Sequence, residues 1–177
     1  LTLIEIFDLA VKQKSESYEF YLGRLNLVKN ALSKEVLKRL ADDESFHLQR
    51  IREGYEQLKK GENFTNEFRE GLRKSSREYF DSIFSEAIKH QIDAAIAETS
   101  EFEIVQKAME LETKNHRFFI EKEKEVGDKK IKEFFDFLAC EEYRHYNLLY
   151  NTYEFISHPN AEWSYPAGKN NEKDHGI

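Results

Sequence analysis

Leu40-Ala41-Asp42-Asp43-Glu44-Ser45-Phe46-His47 returns, 98 positions later, as Leu138-Ala139-Cys140-Glu141-Glu142-Tyr143-Arg144-His145. The Leu-Ala pair, the Glu and the His are common to both. The same offset places Ala10 on Ala108 and Phe20 on Phe118. Helix-start signals obey it too. Thr2-Leu3-Ile4-Glu5 falls on Ser100-Glu101-Phe102-Glu103, and both read as capping boxes. Asn30 falls on Asp128, both favoured N-cap types, and the stop at Gly61 falls on Pro159. No insertion is needed from residue 2 to residue 61. Caps, apolar positions and polar motifs agreeing at one offset mark a duplicated helix pair.

Apolar residues at helical spacing, such as Phe20 and Leu27, or Leu37, Leu40, His47, Ile51 and Leu58, predict helices at 3–28, 31–60, 101–126 and 129–157. Gly127, just before Asp128, reads as a C-cap and turn. Short loops make each pair an antiparallel hairpin. Residues 61–100 join the hairpins and carry their own amphipathic pattern at Tyr79, Phe80, Ile83, Phe84, Ala87 and Ile88. A long connection between two hairpins is what a ferritin-type bundle has. The expected fold is therefore all-α: a ferritin-like four-helix bundle over residues 1–157, with a crossover at 61–100. An irregular tail follows at 158–177 and holds both prolines.

Composition agrees. The chain has 177 residues, enough for one domain with a full core. Fourteen Phe and nine Tyr are too many for a disordered chain, and seven Gly with two Pro are too few for a sandwich or barrel. One Cys excludes a disulfide framework and any four-Cys metal site. A net charge of −7 argues against a nucleic-acid partner. No apolar stretch approaches the ~20 residues that cross a bilayer, so no membrane partner is expected. No basic-then-apolar leader is visible either. The chain reads as cytoplasmic, although its first residue, Leu1, leaves a trimmed leader open.

Glu44-x-x-His47 and Glu142-x-x-His145 each set a carboxylate and an imidazole on one helix face. Oxygen and nitrogen donors of this kind suit iron, manganese or zinc. Di-metal bundles combine two such motifs with one inward Glu from each of the other helices. A lone Glu-x-x-His is weak evidence, because both residues are common on solvated faces. Two in equivalent places of a repeat are much stronger.

Over residues 1–157 the sequence resembles the rubrerythrin-like branch of the ferritin-like superfamily. That branch carries Glu-x-x-Ala-x-x-Phe-Tyr on its first and third helices and Glu-x-x-His on its second and fourth. Here the third helix reads Glu112-Thr113-Lys114-Asn115-His116-Arg117-Phe118-Phe119, which keeps the Glu. The first reads Lys14-Ser15-Glu16-Ser17-Tyr18-Glu19-Phe20-Tyr21, so Lys14 stands at the ligand position. The 98-residue offset independently puts Lys14 opposite Glu112. The resemblance implies metal ligation by Glu44, His47, Glu112, Glu142 and His145. It further implies that the first and third of the Glu residues among Glu44, Glu112 and Glu142 bridge two ions, with Glu112 and His145 completing one set. Position 14 and His47 would complete the other. Glu16 and Glu19 lie ~200° and ~140° round the helix from position 14, so neither replaces it without rotation or a π-bulge.

Charge counting bears on the number of ions. Four carboxylates balance two divalent ions. Three carboxylates and the Lys14 ammonium balance one, and a second ion would leave a buried positive excess. Three readings stay open. One is a non-haem iron oxidoreductase acting on peroxide or dioxygen, as the resemblance implies. Another is a one-metal binding or storage-related protein. The third is a metal-free bundle in which Lys14 pairs with Glu44, Glu112 or Glu142. The family's rubredoxin-like partner needs paired cysteines, so transfer through such a centre would require an external electron donor. Homodimers are common in that family, and the aromatic-rich stretch 76–97 is the candidate contact. Tyr21, Tyr143 and Tyr146 lie near the motifs and read as core aromatics first. His90, His116, His158 and His175 lack the motif and read mostly as solvated.

Overall fold

A computed structural model of the chain describes residues 1–64 and 99–158, and these hold four helices and no strand. They are α1 (Leu3–Arg24), α2 (Ala31–Lys59), α3 (Thr99–Glu125) and α4 (Lys129–Ser157). The amphipathic pattern at Tyr79–Ile88, His90 and the tail past His158 lie outside the described residues. No helix among the described residues is long and apolar enough to cross a membrane.

Three helices start where their caps predict. Thr2 Oγ1 accepts from Glu5 N at 3.3 Å, and Glu5 Oε2 accepts from Thr2 N at 2.7 Å, a reciprocal capping box. Asn30 Oδ1 accepts from Leu32 N and Ser33 N at 3.0 and 3.1 Å. Asp128 Oδ1 accepts from Lys130 N and Ile131 N at 2.8 and 3.1 Å. The third helix departs from expectation. It already includes Thr99 and Ser100, so Ser100 lies inside the helix and does not cap it. Glu101 is buried and serves a neighbour instead: its Oε1 accepts from Lys29 N and, at 3.1 Å, from Asn30 N in the α1–α2 turn. Glu101→Ala would leave two backbone donors of that turn unpaired. A loss of about 1–3 kcal/mol is expected, read from a urea unfolding curve.

Helix ends differ in detail too. α1 stops at Arg24, short of residue 28, because Leu27 N donates to Arg24 O at 3.0 Å and tightens the chain into a turn. α2 ends as a Schellman motif. Gly61 has φ +70, Gly61 N donates to Leu58 O at 3.1 Å, and Glu62 N donates to Gln57 O at 2.9 Å. Gly127 lies in the α3–α4 turn as expected, but its φ is not positive.

α1 packs on α2 and α3 on α4 as two hairpins, which meet through α2–α4 and α1–α3. The core falls into two apolar clusters. One holds Leu37, Leu40, Val105, Ala108, Leu148 and Leu149, with Tyr21 at its edge. The other holds Phe7, Ile51, Phe134, Phe135 and Leu138, with Phe119 at its edge. Each fully buried Val, Leu, Ile or Phe among them contributes about 1.5–3 kcal/mol. Phe7, Phe64 and Phe134 form one ring cluster, with centroids 5.3 to 6.3 Å apart. Gly54 makes room for it, since a Cβ there would lie 2.5 Å from Phe64 Cε2 and 3.2 Å from Phe7 Cε1. Gly54→Ala should therefore destabilise by about 1 kcal/mol net. Overpacking of about 1–3 kcal/mol outweighs about 1 kcal/mol of helix propensity. Thermal unfolding measures it, and a raised Tm would contradict it.

Candidate metal centre

Between the two apolar clusters lies a buried polar layer. It comprises Lys14 and Ser17 from α1, Glu44 and His47 from α2, Glu112 and Asn115 from α3, and Glu142 and His145 from α4. Each side chain arrives there for a helical reason. Lys14 is one turn past Ala10 and one before Ser17, on the inward stripe of α1. The two Glu-x-x-His pairs keep both members on the inward stripes of α2 and α4.

Four of the five sequence-predicted ligands meet. Glu44, Glu112, Glu142 and His145 each offer one atom, and these atoms all lie within 4.8 Å of one another. His145 Nδ1 is 3.5 Å from Glu44 Oε1 and 3.7 Å from Glu112 Oε2. His47 stands at the edge of the group. It stacks on His145 at 5.7 Å and 26°, and its Nδ1 is 3.7 Å from Glu44 Oε2.

Lys14 reaches the centre. Its Nζ donates to Glu142 Oε1 and lies 2.5 Å from Glu44 Oε2. Burial pulls the ammonium's pKa down, but the charges of Glu142, Glu44 and Glu112 outweigh it and the net shift is upward. Lys14 is thus a cation. Burial raises Glu44, and Lys14 with the two histidines more than reverses this, so Glu44 falls well below the usual carboxylate range. Burial likewise raises Glu142. Lys14 opposes, but the charges of Glu44 and Glu112 add to burial, and Glu142 ends well above that range. His145 is depressed by burial, and the Glu112 charge with contacts to Asp43, Glu112 and Glu44 drives it well above its ordinary value.

Several partners were not legible beforehand. Tyr21, read first as a core aromatic, is buried and donates its hydroxyl to Glu112 Oε1. Asp43 Oδ2 lies 3.6 Å from His145 Nε2 and accepts from Arg39 Nε at 3.0 Å. It precedes Glu44 in sequence and has no motif of its own. Asn115 Nδ2 donates to Ser17 Oγ at 2.8 Å, a contact between repeat-equivalent positions that the offset itself would have suggested. His116, expected with the solvated histidines, is buried with Nδ1 2.9 Å from Ala139 O, because its helix face packs on α4. His158 is exposed, as expected. Glu16 does not rescue the site. It faces outward and pairs with Lys114 at 3.7 Å. Tyr143 and Tyr146 are half-buried, the first beside His116 and the second stacked on Tyr150.

The donor set fits a metal ion on physical grounds. Glu112 Oε2, Glu142 Oε2 and His145 Nδ1 are buried and make no hydrogen bond, a cost that an ion would remove. They are hard oxygen and imidazole donors converging on one point.

Residues 5–153 match the Rubrerythrin family, a span that reaches into all four helices and holds both motifs, and the chain belongs to that family. Among solved structures it is similar to a hypothetical protein from Pyrococcus furiosus. That likeness has a TM-score of 0.63 and 22% identity, covering 89% of this chain and 91% of that chain. At this identity the likeness speaks for the fold alone. No curated protein matches the chain.

Proposed function

We propose that the chain is a ferritin-like non-haem metal-binding protein that holds one divalent ion, iron first and manganese or zinc as alternatives. Glu44, Glu112, Glu142 and His145 would hold it, and Lys14 replaces the second terminal carboxylate. The convergence of those four donors beside a buried ammonium carries this reading. With all three carboxylates ionised, the shell including Lys14 has two negative charges, which one divalent ion neutralises. A bound iron would supply one-electron redox chemistry towards peroxide or dioxygen, with electrons from an external donor. Glu112 and His145 would grip the ion, the two apolar clusters would keep water out, and Tyr21 would fix Glu112. Two-electron reduction of peroxide is easiest where two irons share the electrons, so a one-ion centre supports metal binding ahead of catalysis.

A metal-free structural bundle is the second reading, favoured by the ion pairs of Lys14 with Glu44 and Glu142. Anaerobic equilibrium dialysis of the chelator-treated protein against Fe²⁺ separates the two. About one ion per chain is expected, and none would leave the structural reading. Loss of a direct ligand should exceed the 10–100-fold typical of outer partners, so His145→Ala and Glu112→Ala should weaken binding by more than about a hundredfold. His47→Ala should weaken it by less than about tenfold.

A further inference from the structure

The duplicated hairpins meet across an approximate two-fold axis, and contacts between repeat-equivalent residues mark it. Asn115 bonds Ser17, and Lys114 pairs with Glu16. Any contact that crosses the axis between unlike positions therefore has an image. The image of Tyr21 is Phe119, and the image of Glu112 is Lys14. Tyr21 donates its hydroxyl to Glu112. In the image contact, Lys14 Nζ lies over the Phe119 ring, 5.7 Å from its centroid. One half pairs a phenol with a carboxylate, and the other pairs an ammonium with a bare ring. All four side chains are fully buried.

We infer that positions 14 and 119 are one coupled unit. Phe119 is the specificity-determining partner of Lys14, and Tyr21 is the positioning residue of Glu112. A hydroxyl at 21 and its absence at 119 add to the charge at position 14 in setting how tightly each half of the duplicated centre holds an ion. This inference rests on the one-ion reading above.

The Tyr21 hydroxyl occupies Glu112 Oε1 and leaves Oε2, which has no hydrogen bond, directed at His145 Nδ1. A carboxylate fixed by one donor presents one oxygen for ligation. In the other half an ammonium is all donor and needs none. A ring face attracts it weakly, whereas a hydroxyl there would meet the ammonium where its image, Tyr21, meets a carboxylate. A carboxylate restored at position 14 alone would lack the fixing donor that Glu112 enjoys.

Co²⁺ is the probe, because its d–d bands report both occupancy and coordination. Wild type, Phe119→Tyr, Lys14→Glu, the double variant and Tyr21→Phe are titrated in parallel. The double variant should bind a second Co²⁺ at least about tenfold more tightly than Lys14→Glu, the range that orienting partners command. Tyr21→Phe should weaken the first ion by about 10–100-fold and shift its bands. Equal second-ion affinity in the single and double variants would overturn the inference.

If no variant binds Co²⁺, the one-ion reading fails and the coupling is decided in the metal-free protein. There Lys14→Gln, neutral and able to accept a hydrogen bond, replaces Lys14→Glu. Phe119→Tyr should change the unfolding equilibrium at least about fivefold more favourably with Lys14→Gln than in wild type, a size expected of contacting residues. Strictly additive effects in urea unfolding would overturn the coupling.

Discussion

Lys14→Met is expected to destabilise the metal-free protein by about 3–5 kcal/mol. Methionine keeps an unbranched apolar stem of similar length and removes the ammonium. What remains is Glu44, ionised and buried, beside Glu112 and Glu142 with no cation from α1 to face them. Breaking a buried ion pair from one side leaves an uncompensated charge, which is far costlier than the pair was worth. Against a typical total stability of about 5–15 kcal/mol, that is a large fraction of what holds the fold. The pH for the comparison follows from linkage. The folded-state pKa of Lys14 is raised, so its contribution is complete below the unfolded value of about 10.4 and is lost only as pH passes the folded value. Urea unfolding at neutral pH, with chelator present, therefore reads the whole effect. Removing an exposed cap gives the scale, since Thr2→Ala should cost only about 1 kcal/mol. Equal midpoints for Lys14→Met and Thr2→Ala would show that the cluster takes up protons instead of needing the ammonium.

The sequence made the bundle readable because its evidence was periodic and came twice. Caps at Thr2, Asn30 and Asp128 each satisfy backbone donors, so their chemistry is local and visible in a few residues. Ser100 misled for the same reason. Capping-box spacing is a local pattern, and the tertiary need of the α1–α2 turn for an acceptor redirected Glu101. At the centre, the paired Glu-x-x-His motifs and the offset exposed Glu44, Glu112, Glu142, His145 and Lys14. What the sequence could not reveal was depth and direction. His47 obeys the same motif as His145 yet stops at the edge of the cluster. Tyr21 and Phe119 look alike in a hydropathy pattern, and only the helix crossing shows that one meets a carboxylate and the other an ammonium. Asp43 approaches His145 from another helix, a contact no spacing within α2 encodes.

Lys14→Glu is expected to raise iron uptake from about one ion per chain towards two. The change removes the cation now held by Glu142 Oε1 and Glu44 Oε2, and restores a fourth carboxylate. Four carboxylates balance two divalent ions, so the charge that now disfavours a second ion is removed. The donors for that ion are close at hand. Glu44 Oε2 and His47 Nδ1 are already 3.7 Å apart, and Glu142 Oε1 loses its present partner. Without metal the variant should be less stable even than Lys14→Met, because four carboxylates then face one another inside the bundle. With metal it should recover steeply. Each ion at a hundredfold excess over its Kd adds about 2.7 kcal/mol, so the gap between metal-free and loaded Tm should be wider than in wild type. Anaerobic Fe²⁺ titration of both proteins side by side, followed on oxidation by the optical bands of an oxygen-bridged pair of irons, makes the test. Two ions in the wild type with no gain in the variant would refute it. Lys14 would then have to ligate as a neutral amine or swing away, against the carboxylate field that now holds its proton.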